Sequence, residues 1–399
     1  MSRARIPATR RLTLIANNRT RPVGVVGPAD FEWEPGAEIE PETVIRDPAL
    51  SLYCFDRESG SALFVEVDDP AAVEQAPFYY QGQNEHARGL VSMPLEVFHR
   101  LAETIAEPPG GLIFIHSVGR CGSTLVSKAL EAVPEVQSLS EPDDLTQMIE
   151  FRTTGGAPDA ELRRLIRSTV RWRCKPRSGA PARWVAIKMR SEVMVLADLI
   201  GLEFPAARHL FLYRDGVSWM RSVYQNAPPE RNPYDEVANR ELEASWAYTI
   251  PLVRDSIRAD AAMNPAELRI LAWVTCMEAY LGLRETGIPL CAARFEDLTA
   301  NPVPVLEQLF TFCGIEGADW DSVREVLGRD SQAGTVFDRE KRRKARRELP
   351  EALAEDARRV IAGRPRLRAP DVIVPGTILE VCPPSGGTHV RGLSPLRGD

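Results

Sequence analysis

One run of residues in this chain is built to hold an anion. Ser117-Val118-Gly119-Arg120-Cys121-Gly122-Ser123-Thr124-Leu125 lies between the short apolar stretch Leu-Ile-Phe-Ile-His (112–116) and the helix-prone stretch Ser-Thr-Leu-Val-Ser-Lys-Ala-Leu-Glu-Ala-Val (123–133). At a strand-to-helix turn the first helical amides have no partner inside the helix, and the helix dipole favours negative charge there. Gly119 and Gly122 permit tight turning and close backbone approach, Arg120 adds a charged fork, and Ser123 and Thr124 add hydroxyl donors. The run is not a Walker A loop, which places Lys directly after its last Gly. Here Ser123-Thr124 follow Gly122 at once, and the loop's charge, Arg120, comes earlier. A second anion station lies downstream. The apolar run from Arg208 ends in Arg214-Asp215, and Ser222 follows Arg214 by eight positions on a predicted helix. An Arg at a strand end can grip a phosphate with two parallel hydrogen bonds, and a Ser two helical turns along can donate to the same oxygens.

The surrounding pattern supplies elements to position these groups. From Gly111 onward, apolar strand-like runs at 112–116, 184–188, 208–214 and 288–295 alternate with helix-like runs at 123–133, 191–204, 215–225 and 301–315. Two further long helices are expected over 236–257 and 266–286. Such alternation predicts a three-layer α/β domain around a central parallel sheet. Residues before about 105 read differently. Arg-Arg-Leu-Thr-Leu-Ile-Ala (10–16) predicts a strand, 51–69 a hairpin turning at Glu58-Ser59-Gly60, and Pro94 opens an amphipathic helix with Leu95, Phe98, Leu101 and Ile105 near one face. Pro108-Pro109-Gly110-Gly111 breaks the pattern. The expected organisation is an N-terminal β-rich extension (1–107), an α/β domain (108–364) and a Pro/Gly-rich C-terminal tail (365–399).

The motifs in this order resemble those of the PAPS-dependent sulfotransferases. Residues 119–125 resemble the family's 5′-phosphosulfate loop, with Cys121 where Ser is usual. Arg214 and Ser222 resemble its 3′-phosphate motif. Arg294-Phe295-Glu296-Asp297-Leu298, before a Pro-opened helix, resembles its Tyr-Glu-Asp-Leu segment, with Phe295 where Tyr is usual. The resemblance covers roughly residues 110 to 335 and none of the first 105. It implies a P-loop-like fold and sulfuryl transfer from PAPS to a hydroxyl or amine. The layout is closest to the tyrosylprotein-type branch, in which a catalytic Glu follows the loop. That implies Glu141, 21 residues after Arg120, as general base. By the same resemblance Lys188 approaches the bridging oxygen, Arg120 shares in charge stabilisation, and a late loop with Ser331 and Lys341 covers the nucleotide. The leaving group is already an anion, so no metal is required. His116, alone at a strand end, reads as structural, and Trp219, Trp246 and Trp273 read as core or as acceptor-pocket wall.

Bulk composition narrows the function classes. The 399 residues are 44% hydrophobic, and 49 Lys and Arg against 56 Asp and Glu give a formal net charge of −7. That balance argues against a general nucleic-acid binder, which needs clustered cations. The seven cysteines are widely spaced with no Cys-x-x-Cys, and the five histidines are never three to five residues apart. Neither a disulfide framework nor a local metal motif is expected. No stretch has the length of a signal peptide core or a membrane span, so the expected location is the cytoplasm. The acceptor expected is a small molecule, a glycan or a lipid. Two other readings stay open: a P-loop kinase-like phosphotransferase, and a catalytically silent nucleotide-binding module.

Overall fold

The computed structural model describes residues 8–20, 24–176, 182–226, 247, 249–259, 263–329 and 348–378. Ser331, Lys341, Trp246 and most of the helix expected over 236–257 lie outside the described residues, although Pro251–Arg258 is helical.

Two five-stranded sheets form the frame. The first contains β1 (Arg10–Asn17), β2 (Phe31–Glu38), β3 (Leu50–Asp56), β4 (Ser61–Val67) and β5 (Ala87–Pro94), antiparallel in the order β2-β1-β5-β4-β3. The predicted hairpin is β3–β4, with Gly60 at φ +67° in its turn. Strand β2 carries Pro35 and three glutamates and was not expected from its sequence; it sits at the sheet edge, where a residue without an N–H is tolerated. The second sheet contains β6 (Gly111–Ser117), β7 (Val136–Ser140), β8 (Trp184–Lys188), β9 (Arg208–Tyr213) and β10 (Leu290–Arg294), all parallel, in the order β10-β9-β6-β8-β7. Four of these were expected. The addition, β7, is the polar edge strand Val-Gln-Ser-Leu-Ser.

The three layers follow from strand alternation. Leu112 and Phe114 of β6 join one apolar core with helices Asp144–Thr153, Asp159–Arg173 and Ala197–Glu203; Ile113 and Ile115 join a second core with helices Ser123–Glu131, Pro265–Arg284 and Pro302–Cys313. Burial on both faces is why these strands read as nearly continuous apolar runs. The stretch expected as one helix over 191–204 is a 3₁₀ segment, Ser191–Leu196, followed by an α-helix, Ala197–Glu203. The helix after Pro94 ends at Ala102, with Ile105 buried just beyond it. Residues 376–378 lie along the open edge of β10, where the Ala292 amide donates to Gly376 O (3.0 Å) and the Ile378 amide to Ala292 O (2.8 Å). Among the described residues no helix is long and apolar enough to cross a membrane.

The N-terminal sheet shares the first of the two cores. Phe98 is fully buried; its ring meets Phe55 edge-on (5.6 Å) and stacks on Trp172 (5.7 Å). Gln147, on helix Asp144–Thr153, accepts from the Phe55 amide (2.8 Å) and donates to the Phe55 carbonyl (2.7 Å), so its side chain takes the place of a neighbouring strand along β3. Buried Lys175 donates to Val44 O (2.5 Å), to Leu50 O (2.8 Å) and to Asp47 O. Arg173 donates to Leu52 O (2.9 Å) and pairs with Asp144. Phe98→Ala is expected to cost about 3–5 kcal/mol, read as a lower urea midpoint for unfolding of the whole chain.

Candidate active site

In open α/β sheets ligands bind beyond the carboxyl ends of the strands. The loop after β6, Glu141 after β7, Lys188 at the end of β8 and Arg214 after β9 all stand at that edge.

The loop is held open by backbone conformations that its glycines permit. Gly119 and Gly122 have φ of +73° and +83°, and Arg120 between them has +56°. A Cβ on Gly122 would lie 2.9 Å from Leu298, so this position needs Gly for space as well as for φ. Ser117 Oγ accepts from the Gly119 amide (3.2 Å). Ser123 and Thr124 begin the helix and are buried, and Leu125 packs on the second core. The Cys121 thiol faces inward and donates to Leu212 O (3.1 Å). Burial pushes that thiol up to about 11.

The two predicted anion stations touch. Arg214 Nη1 donates to Arg120 O (2.8 Å), and Arg120 Nε donates to Ser222 Oγ (3.4 Å). Arg214 lies over the Phe295 ring at 4.3 Å, a cation–π contact. Burial shifts the Arg214 guanidinium downward. Glu296 accepts from the Asp215 amide (3.2 Å), while Asp215 accepts from the Ser218 amide (2.6 Å) and so caps the helix that carries Ser222. The Trp219 indole donates to Val118 O (2.8 Å) and the Trp273 indole to Arg214 O (3.0 Å). Both tryptophans are core residues that brace the site's backbone.

Glu141 and Lys188 form an ion pair. The Lys188 side chain is 2% exposed and Glu141 16%, so the Lys is a buried cation rather than one reaching for solvent. Its Nζ lies 5.6 Å from the centre of the Phe78 ring. Glu141 has φ +58°, and its amide donates to Lys188 O (2.7 Å). Asp143 and Asp144, close in sequence to Glu141, are buried and paired with Arg190 and Arg173. Burial pushes the Asp143 carboxyl up to about 6, against the pull of Arg190.

His116, read from the sequence as structural, pairs with His209 in the interior. Its Nε2 lies 3.0 Å from His209 Nδ1 in a stacked, buried pair. Burial lowers both imidazoles, His209 to about 4. Among the described residues no group of His, Cys, Asp and Glu could hold a metal ion.

Sequence reasoning missed Arg190, Phe78 and Tyr80, and with Arg190 the pairing of Asp143. A signal for that pair existed: Glu-x-Asp after one strand and Lys-x-Arg after another share a spacing, and two parallel strands in register would pair them.

The family model described as "Sulfotransferase family" matches residues 112–321, a little over half of the chain. The chain belongs to the sulfotransferase family. No curated protein shows a significant match. Solved structures similar to it include a sulfotransferase domain from the olefin synthase of Synechococcus PCC 7002 (16% identity over 64% of this chain and 94% of that one, TM-score 0.37). Others are a sulfotransferase from Alicyclobacillus acidocaldarius (16%, 62% and 99%, TM-score 0.34) and the sulfotransferase STF1 from Mycobacterium tuberculosis H37Rv (13%, 62% and 78%, TM-score 0.33). At these TM-scores the likeness says nothing about the site.

Gly122→Ala is expected to cost about 1–3 kcal/mol, measured as a lower denaturation midpoint. Gly119→Ala, whose Cβ meets nothing closer than Ser191 Oγ at 3.4 Å, should cost less.

Proposed function

We propose that this protein transfers a sulfuryl group from PAPS to a hydroxyl or amine of a small-molecule, glycan or lipid acceptor, with residues 108–364 as the catalytic unit. The observation that carries this reading is the meeting of Glu141 and Lys188 at the same sheet edge as the loop and Arg214. In this reading residues 119–125 hold the 5′-phosphosulfate, through backbone amides and the Ser123 and Thr124 hydroxyls. Arg214 and Ser222 hold the 3′-phosphate, and Phe295 supports Arg214.

Transfer forms a bond from the acceptor oxygen or nitrogen to sulfur and breaks the bond from sulfur to the bridging oxygen. The acceptor's proton passes to Glu141, and the bond's electrons leave with adenosine 3′,5′-bisphosphate. Before the reaction Lys188 faces the Glu141 carboxylate. Once Glu141 takes the proton its negative charge is gone, and the ammonium is released to the charge growing on the bridging oxygen. Base action and leaving-group stabilisation are thereby coupled through one ion pair. Arg120 and the loop amides share the remaining charge.

Glu141→Gln is expected to lower kcat by about 10²–10⁴-fold while retaining adenosine 3′,5′-bisphosphate in calorimetric titration. Arg214→Ala should weaken that binding, with the loss confined to ligands that carry a 3′-phosphate, as parallel titrations of ATP and AMP would reveal. Mg²⁺-dependent ATP turnover would instead favour a kinase-like phosphotransferase. Tight nucleotide binding with no acceptor turnover would favour a silent binding module.

A further inference from the structure

Strands β7 and β8 pair in register, with Ser140 opposite Lys188, and the Glu141 amide adds one more rung by donating to Lys188 O (2.7 Å). Two residues further along each chain a second ion pair stands behind the first. Arg190 Nε lies 2.7 Å from Asp143 Oδ1, and Arg190 Nη2 donates to Asp143 Oδ2 (2.9 Å). The Asp143 side chain is 0% exposed and Arg190 12%.

The N-terminal region closes over this second pair. Asp143 Oδ2 accepts from the Val26 amide (2.9 Å), and Arg190 Nη2 donates to Gly24 O (3.1 Å). Arg190 lies 4.5 Å over the Tyr80 ring, and Arg19, which also donates to Gly24 O (2.6 Å), lies 5.1 Å from the same ring. On the other side of Glu141, Ser140 Oγ donates to Pro77 O (2.7 Å), and Phe78 lies against Lys188. Glu141 is thus bracketed by Ser140 and Asp143, each tied to the N-terminal region. It is also one of three described non-glycine residues with positive φ. Such a conformation costs about 1–3 kcal/mol and persists only where the surroundings over-determine it. Tethers on both flanks meet that condition.

We propose that Asp143 and Arg190 are a positioning pair, through which the N-terminal region holds Glu141 and Lys188 in the geometry needed for turnover. This rests on the reading of Glu141 as the base. The pair does not touch the reacting atoms. Its effect reaches the reaction through the backbone of residues 140–143 and through the end of β8.

The test uses the full-length chain. Asp143→Asn keeps the side-chain volume and removes the charge, and Arg190→Lys keeps a charge but cannot span both oxygens or lie flat on Tyr80. Each is expected to lower kcat by about 10–100-fold, the scale of a misplacement near 1 Å. KM for PAPS and the affinity for adenosine 3′,5′-bisphosphate should stay at wild-type values. In a Glu141→Gln background, adding Asp143→Asn should change kcat little, because groups that act as one unit are not additive. If either variant fails to fold, Ser140→Ala removes the opposite tether with little disturbance and should show the same split. A folded Asp143→Asn or Ser140→Ala enzyme with wild-type kcat, or an equal loss in the Glu141→Gln background, overturns the proposal. Normal turnover by Glu141→Gln alone overturns the base reading and the positioning role together. Loss of turnover by Glu141→Gln beside a wild-type-like Asp143→Asn overturns only the positioning role.

Discussion

Lys188 is a buried ammonium, and its need for a counter-charge organises this edge of the molecule. An ion taken out of water costs several kcal/mol unless a partner and good geometry offset it. The counter-charge comes from Glu141, which must stand at the end of the neighbouring strand. Polar β7 pairs beside β8, and the backbone at Glu141 lies in the left-handed region. Phe78 of the N-terminal region lies against the ammonium. The same logic recurs at Asp143 and Arg190, and buried Lys175 donates to three backbone carbonyls.

The N-terminal sheet is therefore more than a neighbour of the parallel sheet. It shares an apolar core with helices Asp144–Thr153 and Asp159–Arg173, and its loops supply the carbonyl, amide and aromatic surfaces around the charged strand ends. A region outside the family match thus contributes structure to the candidate site. On the opposite flank, Arg214, Arg120 and Ser222 form a chain of contacts from β9 to the loop, braced by two buried indoles. One side of the edge is organised by carboxylate–cation pairs. The other is rich in guanidinium and amide donors, the composition that suits an anionic ligand.

Much of the fold was legible because its signals are local. Four of the five parallel strands announce themselves as short apolar runs, and helix Pro265–Arg284 has a capping box at Asn264 and Glu267. Strands β2, β5 and β7 were not legible. β2 and β7 are polar edge strands held by pairing rather than by their own pattern. β5 runs directly into the Pro94 helix, and its central place between β1 and β4 is fixed by long-range register. The inward thiol of Cys121 was hidden for a related reason. A residue's type tells what it can donate, but the handedness of the turn around it decides where the side chain points.

By itself the sequence determined the kinds of chemistry present and their order along the chain: a glycine loop with an Arg and two hydroxyls, a carboxylate after it, and a cation at each of two strand ends. Only the tertiary structure decided which of these meet. Glu141 and Lys188 are separated by 47 positions and Arg120 and Ser222 by 102. They come together because parallel strands must be joined by long crossovers, so the carboxyl ends that form one edge are distant in the chain. The N-terminal region's place against the charged pairs was decided by a shared apolar core, which leaves no local mark on spacing.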